Sequence, residues 1–195
     1  MALESEDIDA MAWQELDAAA KDPHAAFRYL NVCTIDTELK PQARMMVLRR
    51  TDSARRLLEF HTDIRSAKWQ ELAVNPAATV LGFCSQSRLQ LRLQGYFKRY
   101  EPESTLAAQA WETLSVWTRS SYSGGPPGDE SLFSRDQTQH AENEDDGEAG
   151  RHHFGVLVFQ AESLDWFRLE RDNNRRARLT YSAKGSLTSF TWVNP

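Results

Sequence analysis

The chain has 195 residues, 41% of them hydrophobic, which is enough for one sizeable core and short of two comfortable domains. Its formal charge of −5 equals the five acids of ENEDDGE, residues 142–148, so the remainder is near neutral. That balance gives no support for nucleic-acid binding and leaves room for an anion site. No apolar run reaches transmembrane length, and the opening MALESEDIDAMAWQEL is acidic and amphipathic rather than a signal peptide. The expectation is a cytoplasmic protein with no membrane partner.

In chain order, a helix is predicted from about Asp7 to Ala20, with Ile8, Met11, Ala12 and Leu16 at helical spacing and Asp22-Pro23 as the stop. FRYLNVCTID and KPQARMMVLRR read as strands, TDSARR as a turn and LLEFHT as a third strand. RSAKWQELAVN is helical and ends at Asn75-Pro76. ATVLGFCSQ is a fourth strand. In LQLRLQGYFKRY, Leu89, Leu91 and Leu93 alternate with Gln90, Arg92 and Gln94, which is the period of a half-buried strand. PESTLAAQAWETLSVW reads as one helix, with Pro102 near its first turn. Residues 119–153 show no periodicity, and about 128–151 is expected to be a mobile acidic loop. Three strands, FGVLVFQ, LDWFRLE and RRARLTYS, precede a turn at Lys184-Gly185 and a last strand, LTSFTWV.

The pattern is mainly β with flanking helices in a single domain over 1–195. No βαβ alternation, GxGxxG or GxxxxGK is present, so a Rossmann or P-loop site is not expected, and short antiparallel strands closing on themselves suggest a small β-barrel. Cys33 and Cys84 lie in strand-like runs without a Cys/His cluster and read as reduced, buried thiols. His24, His61, His140, His152 and His153 show no metal-ligand or triad spacing, so no metal is expected; His152-His153 reads as part of the mobile loop.

One corner carries chemistry. In HTDIRSAKWQEL a strand ends and a helix begins, with Thr62 and Ser66 offering hydroxyls and Arg65 and Lys68 offering charge. A helix N-terminus favours an anion. Ser66 as a plain N-cap and Lys68 as a solvated side chain are the blander readings, and from this stretch alone they weigh more. Pairing of strands 42–50 and 57–62 as a hairpin would bring Arg44 level with Thr62, so that Arg44, Thr62, Ser66 and Lys68 converge on one phosphate. Gln90 belongs to a polar strand face that either meets solvent or lines a groove, where its amide suits a heterocycle edge.

RMMV (Arg44–Val47), FHTDIRSAK (Phe60–Lys68) and LQLRLQG (Leu89–Gly95) resemble successive motifs of the pyridoxamine 5′-phosphate oxidase family, in the same order and spacing. DWFRLERDNNRRARLTYS followed by TWVNP resembles its closing strands. The resemblance implies a split β-barrel that binds FMN at a homodimer interface. It places Arg44, Met45, Met46 and Val47 along the flavin, with His61 and Thr62 at the next contacts. Ser66 and Lys68 would hold the phosphate, and Gln90 the ring. Trp166 and Arg176 (or Arg178) would come from the partner subunit, against plainer readings as core and solvated strand. Arg49 and Arg119 are the implied substrate contacts, with Ser120 and Tyr122 as further candidates.

There are departures. Ala67 stands where the family has arginine, a gap that Arg65 could fill. Leu89 and His61 replace an arginine and an aromatic, and NNRRAR lacks the family's histidine. The cofactor half of the pattern is better kept than the substrate half. The resemblance therefore implies a divergent FMN-dependent oxidoreductase acting on a small, anionic substrate. The alternative is a flavin-binding carrier or sensor without turnover. Haem, with His61 as an axial ligand, or a deazaflavin ranks below both.

Overall fold

The computed structural model describes residues 5–129 and 148–195. Leu89 to Tyr100 forms the strand that its alternation predicts. Leu89, Leu91 and Leu93 are buried, while Gln90 and Arg92 are half-buried and Gln94 is exposed. Around it the chain runs α1 (Ser5–Lys21), β1 (Tyr29–Ile35), β2 (Pro41–Val47), β3 (Arg50–Asp52), β4 (Leu57–Asp63), α2 (Ala67–Val74), β5 (Ala77–Cys84) and β6 (Leu89–Tyr100). Then come α3 (Thr105–Glu112), α4 (Val116–Ser120), a 3₁₀ helix (Glu148–His153), β7 (Phe154–Arg168), β8 (Arg175–Tyr181) and β9 (Leu187–Val193). No helix among the described residues is long and apolar enough to cross a membrane.

All pairings are antiparallel. The sheet order is β2-β1-β5-β6-β7-β4-β3, with β8 on β7 and β9 on β8. Residues 154–168 form one 15-residue strand where the sequence suggests two. A bulge explains the difference: Gln94 pairs with Ser163 and Gly95 with Ala161, so Glu162 is skipped and the period-two pattern breaks there. β7 is shared along its length. Its first half pairs with β4 and its second half with β8, and the sheet splits between them.

The expected hairpin between residues 42–50 and 57–62 does not form. β2 pairs with β1, and the short β3 pairs with β4. The helix expected over residues 102–117 is two helices. Ser104 caps α3 by accepting from Ala107 N, and Ser115 caps α4 by accepting from Thr118 N, so the serines interrupt the run. Residues 148–153 are helical and not part of a loop. Residues 130–147, the bulk of the acidic stretch expected to be mobile, lie outside the described residues.

The main core lies inside the curl. Leu30, Val32, Leu58, Phe60, Leu91, Leu93, Leu164 and Trp166 point inward, α1 covers one opening with Ile8, Trp13 and Leu16, and α2 adds Trp69 and Leu72. A second cluster of Trp111, Tyr122, Phe154 and Val156 sits on the outer side of β7, under α3. α1 is latched to the far end of the chain. Tyr181 Oη donates to Asp9 (2.7 Å), Trp13 Nε1 donates to Tyr181 Oη (3.1 Å), and Arg56 pairs with Asp9 (2.5 Å).

Candidate functional site

The corner between β4 and α2 is shaped by Asp63. Its carboxylate accepts from the Arg65 backbone N–H (2.8 Å) and from the Arg65 guanidinium (2.6 Å), which closes the turn. Burial raises the Asp63 pKa, and the bonds from Arg65 outweigh that, so the group stays below its ordinary value. Arg65 also donates to Tyr122 O (3.3 Å) and is therefore committed to the turn, not free to stand in for the arginine missing at Ala67.

Ser66 occupies the N-cap position of α2, yet its side chain makes no capping bond. Its hydroxyl, buried, donates instead to Asp63 O (2.7 Å) and lies 3.3 Å from Thr62 Oγ1. Lys68 is half-buried and donates to Thr62 Oγ1 (3.0 Å). Ser66 thus sits at the cap position without capping, and Lys68 is only partly solvated. Burial lowers the Lys68 pKa, and the nearby Arg44 cation lowers it further.

Arg44 reaches this corner from β2 without the expected hairpin. Alternation sends Arg44 and Met46 to the inner face and leaves Met45 exposed on the outer face, with Val47 half-buried beside it. The Arg44 guanidinium donates to the Thr34 hydroxyl and to Glu71 (3.0 Å), and Thr34 donates to the same Glu71 oxygen (2.5 Å). Thr34 and Glu71 were not foreseen. Glu71 lies three positions after Lys68, on the same side of α2, and that spacing was a readable signal. Beside the Asp63–Arg65 pair that closes the turn, the corner thus holds the cations Arg44 and Lys68, the carboxylate of Glu71, the hydroxyls of Thr34, Thr62 and Ser66, and an uncapped helix N-terminus. Such a set suits a phosphate.

His61 faces the other way. Its Nε2 lies 3.2 Å from Glu59 Oε1, its ring packs on Phe154, and its buried Nδ1 has no partner. Burial lowers its pKa against the opposing pull of Glu59. The Arg49 charge acts on His61 and on Tyr122, whose ring packs on the same Phe154, and the Tyr122 hydroxyl is pushed up to about 12 by burial. Arg119, expected at the substrate, is instead committed to Glu148 (2.8 Å), Glu112 (3.5 Å) and Trp111 O (3.2 Å). Ser120 donates to Trp117 O within its own helix.

Gln90 lies on the outer face of β6, with Arg92. Beside them, on β7 and β8, Asp165 collects Arg92 (2.6 Å), Arg176 (2.8 Å) and Arg178 (3.7 Å). Burial raises the Asp165 pKa, but the Arg176 and Arg92 hydrogen bonds win and lower it. Asp165 is a second residue that pattern reading overlooked. Arg176 and Arg178 both face this carboxylate. Trp166 points the opposite way: it pairs with Leu91 and Ala177 and is 2% exposed in the core. Core packing, the plainer reading, accounts for it within one chain.

The ladders fix the relation between the two halves. Arg44, Val32, Val80 and Leu93 share one row, on the inner face; Met45, Asn31, Leu81 and Arg92 share the next, on the outer face. Arg44 and Gln90 therefore lie on opposite faces of one sheet.

Residues 10–101 match the family model of the pyridoxamine 5′-phosphate oxidase, FMN-binding domain. A pyridoxine/pyridoxamine 5′-phosphate oxidase from Caulobacter vibrioides is 34% identical over 113 residues, covering 56% of this chain and 47% of that protein. One from Mannheimia succiniciproducens is 32% identical over 92 residues, covering 47% and 41%. The matches thus span about half the length of these relatives or less. A pyridoxamine 5′-phosphate oxidase-related, FMN binding protein from Nostoc punctiforme superposes with a TM-score of 0.79 at 20% identity over 100% of both chains. PhzG from Burkholderia lata, solved with tetrahydrophenazine-1-carboxylic acid, gives 0.72 at 16% identity over 95% of this chain and 91% of its own. At those identities the structures speak for the fold alone, a split barrel. The chain thus has the split-barrel fold, and over residues 10–101 it resembles the FMN-binding domain of the pyridoxamine 5′-phosphate oxidases.

Proposed function

We propose that this protein binds FMN, with the flavin phosphate at the β4–α2 corner, and acts as an FMN-dependent oxidoreductase on a small anionic substrate. The observation that carries the reading is the convergence of Arg44, Thr62, Ser66 and Lys68 around an uncapped helix N-terminus. When bound, FMN supplies the hydride and oxygen chemistry. The chain's own residues anchor and orient it. Lys68 and Arg44 meet the phosphate charge, and the Thr62 and Ser66 hydroxyls turn from each other toward the phosphate oxygens.

The ring contact from Gln90 comes from a second copy of the chain, because Gln90 and Arg44 occupy opposite faces of the same sheet. A homodimer is the assembly that supplies both. The outer face suits such a contact, since it exposes Met45 and Phe83 beside the Arg92–Asp165–Arg176 cluster. Arg49, whose charge acts on both His61 and Tyr122, would meet the substrate's negative charge. Comparison of FMN with riboflavin tests the phosphate assignment. FMN should bind at least about 100-fold more tightly, and Lys68→Met should erase most of that preference. Equal affinities would remove the corner from the site.

A second reading is favoured by Arg119, whose guanidinium is taken up by Glu112 and Glu148. In that reading the protein carries or senses flavin without turnover. Aerobic assays with pyridoxamine phosphate, other amines and reduced nicotinamide separate the two: turnover of any of them supports the oxidoreductase, and flavin retention with none supports the carrier.

A further inference from the structure

The outer face of β6, β7 and β4 holds a cleft of about 610 Å³ that the flavin reading does not use. Ladder pairing puts Tyr96, Gln160 and Leu57 in one row, and Lys98, Val158 and Glu59 two rows on, on the same face. Tyr96, Lys98 and Tyr100 follow each other at every second position, so all three side chains leave the same face. Leu57 and Val158 give the cleft an apolar floor.

Its rim is fixed from two directions. Arg55 stands on the β3–β4 turn and Lys184 on the β8–β9 turn, and the two turns are locked together. Arg56 Nε donates to Gly185 O (3.0 Å), and a Cβ on Gly185 (φ 89°) would come within 2.4 Å of Ala54 O. Gln160 holds the base of the same turn by donating to Arg55 O (2.8 Å). Arg55, Lys98 and Lys184 have no carboxylate partner among the described residues, and the Lys98 ammonium lies 5.1 Å from the centre of the Tyr100 ring. Among the described residues, no acid lines the cleft. Asp52 and Glu59 line a smaller adjoining hollow, but Asp52 accepts from the Arg55 backbone and Glu59 is bonded to His61.

Three unpaired cations around two tyrosines and an apolar floor complement a flat ring bearing negative charge. The volume falls in the range of small-molecule sites, about 300–1,000 Å³. We propose that this cleft is a second binding site for a planar aromatic ligand with two or more negative charges, of the nucleoside diphosphate kind. The ring lies against Tyr96 and Tyr100, and the charged groups point to Arg55, Lys98 and Lys184. None of these residues belongs to the β4–α2 corner, so this site and the flavin site stand or fall separately.

The test is calorimetric titration of the full chain, as purified, with ADP, adenosine and inorganic phosphate. ADP should bind at least about 10-fold more tightly than either fragment. Lys98→Ala combined with Lys184→Ala, and separately Tyr96→Ala, should each weaken ADP about 10-fold or more, while Lys68→Met leaves ADP binding unchanged. The substituted side chains are on the surface, and an unchanged melting temperature establishes that the variants fold. Three results would each overturn the proposal: no ADP binding at millimolar concentration, ADP binding no tighter than phosphate, or binding insensitive to these substitutions.

Discussion

At Lys68 the cost of a site is visible in a single side chain. Burial and the Arg44 cation both disfavour its charge, and its one hydrogen bond is to a neutral hydroxyl. In the ligand-free protein that charge works against folding, because the unfolded chain holds the proton more strongly. Lys68→Met should therefore leave thermal stability unchanged or raise it, while abolishing flavin retention. A melting curve and a visible spectrum of the variant check both halves. A clear loss of stability would make Lys68 a structural residue. His61 gives a pH signature. Its folded pKa lies below the unfolded value of about 6.5, so the unfolded state binds more protons just under that pH. Stability should fall as the pH drops through that window, and His61→Gln should flatten the slope in denaturant titrations at pH 5 to 7.5. What was legible at this scale was residue type and spacing. What was not legible was which partner each cation takes: Arg65 and Arg119 look available in sequence, but Asp63, two residues earlier in the same turn, claims Arg65, and Glu148, 29 residues away, claims Arg119.

Among the elements, β6 was fully readable because leucine and polar residues alternate without a break, and α1 because its apolar positions follow the helical period. β7 was not, because the bulge at Glu162 interrupts its period, and the β2–β4 pairing was misjudged because sheet order is set by tertiary contacts rather than by short connections. Trp166 shows what alternation can decide: Leu164 and Trp166 share the core face, while Asp165 between them turns outward to its three arginines. The bulge itself makes a prediction. A Cβ on Gly95 would lie 1.9 Å from Gln160 O, so Gly95→Ala must push β6 and β7 apart. A loss of about 1–3 kcal/mol in chemical denaturation is expected, against a change within error if the strands separate freely.

For the molecule as a whole, the sheet puts Arg44 and Gln90 on opposite faces, and under the proposed function that geometry would tie cofactor binding to assembly. Phe83→Asp, on the exposed outer face, should give a monomer by light scattering and should lose flavin although Arg44, Thr62, Ser66 and Lys68 are untouched. A flavin-loaded monomer would show that one chain completes the site. The motifs made the resemblance readable, but the placement of Arg44 and Gln90 on opposite faces needed the register of β2, β1, β5 and β6. The most direct measurement is the visible absorption spectrum of the purified protein beside that of Lys68→Met, with any released cofactor identified by mass. A flavin spectrum in the parent protein, FMN as the released compound and a colourless, folded variant are the predicted results. A parent that is colourless and does not take up added FMN, or a variant that retains FMN as firmly as the parent, would contradict the account.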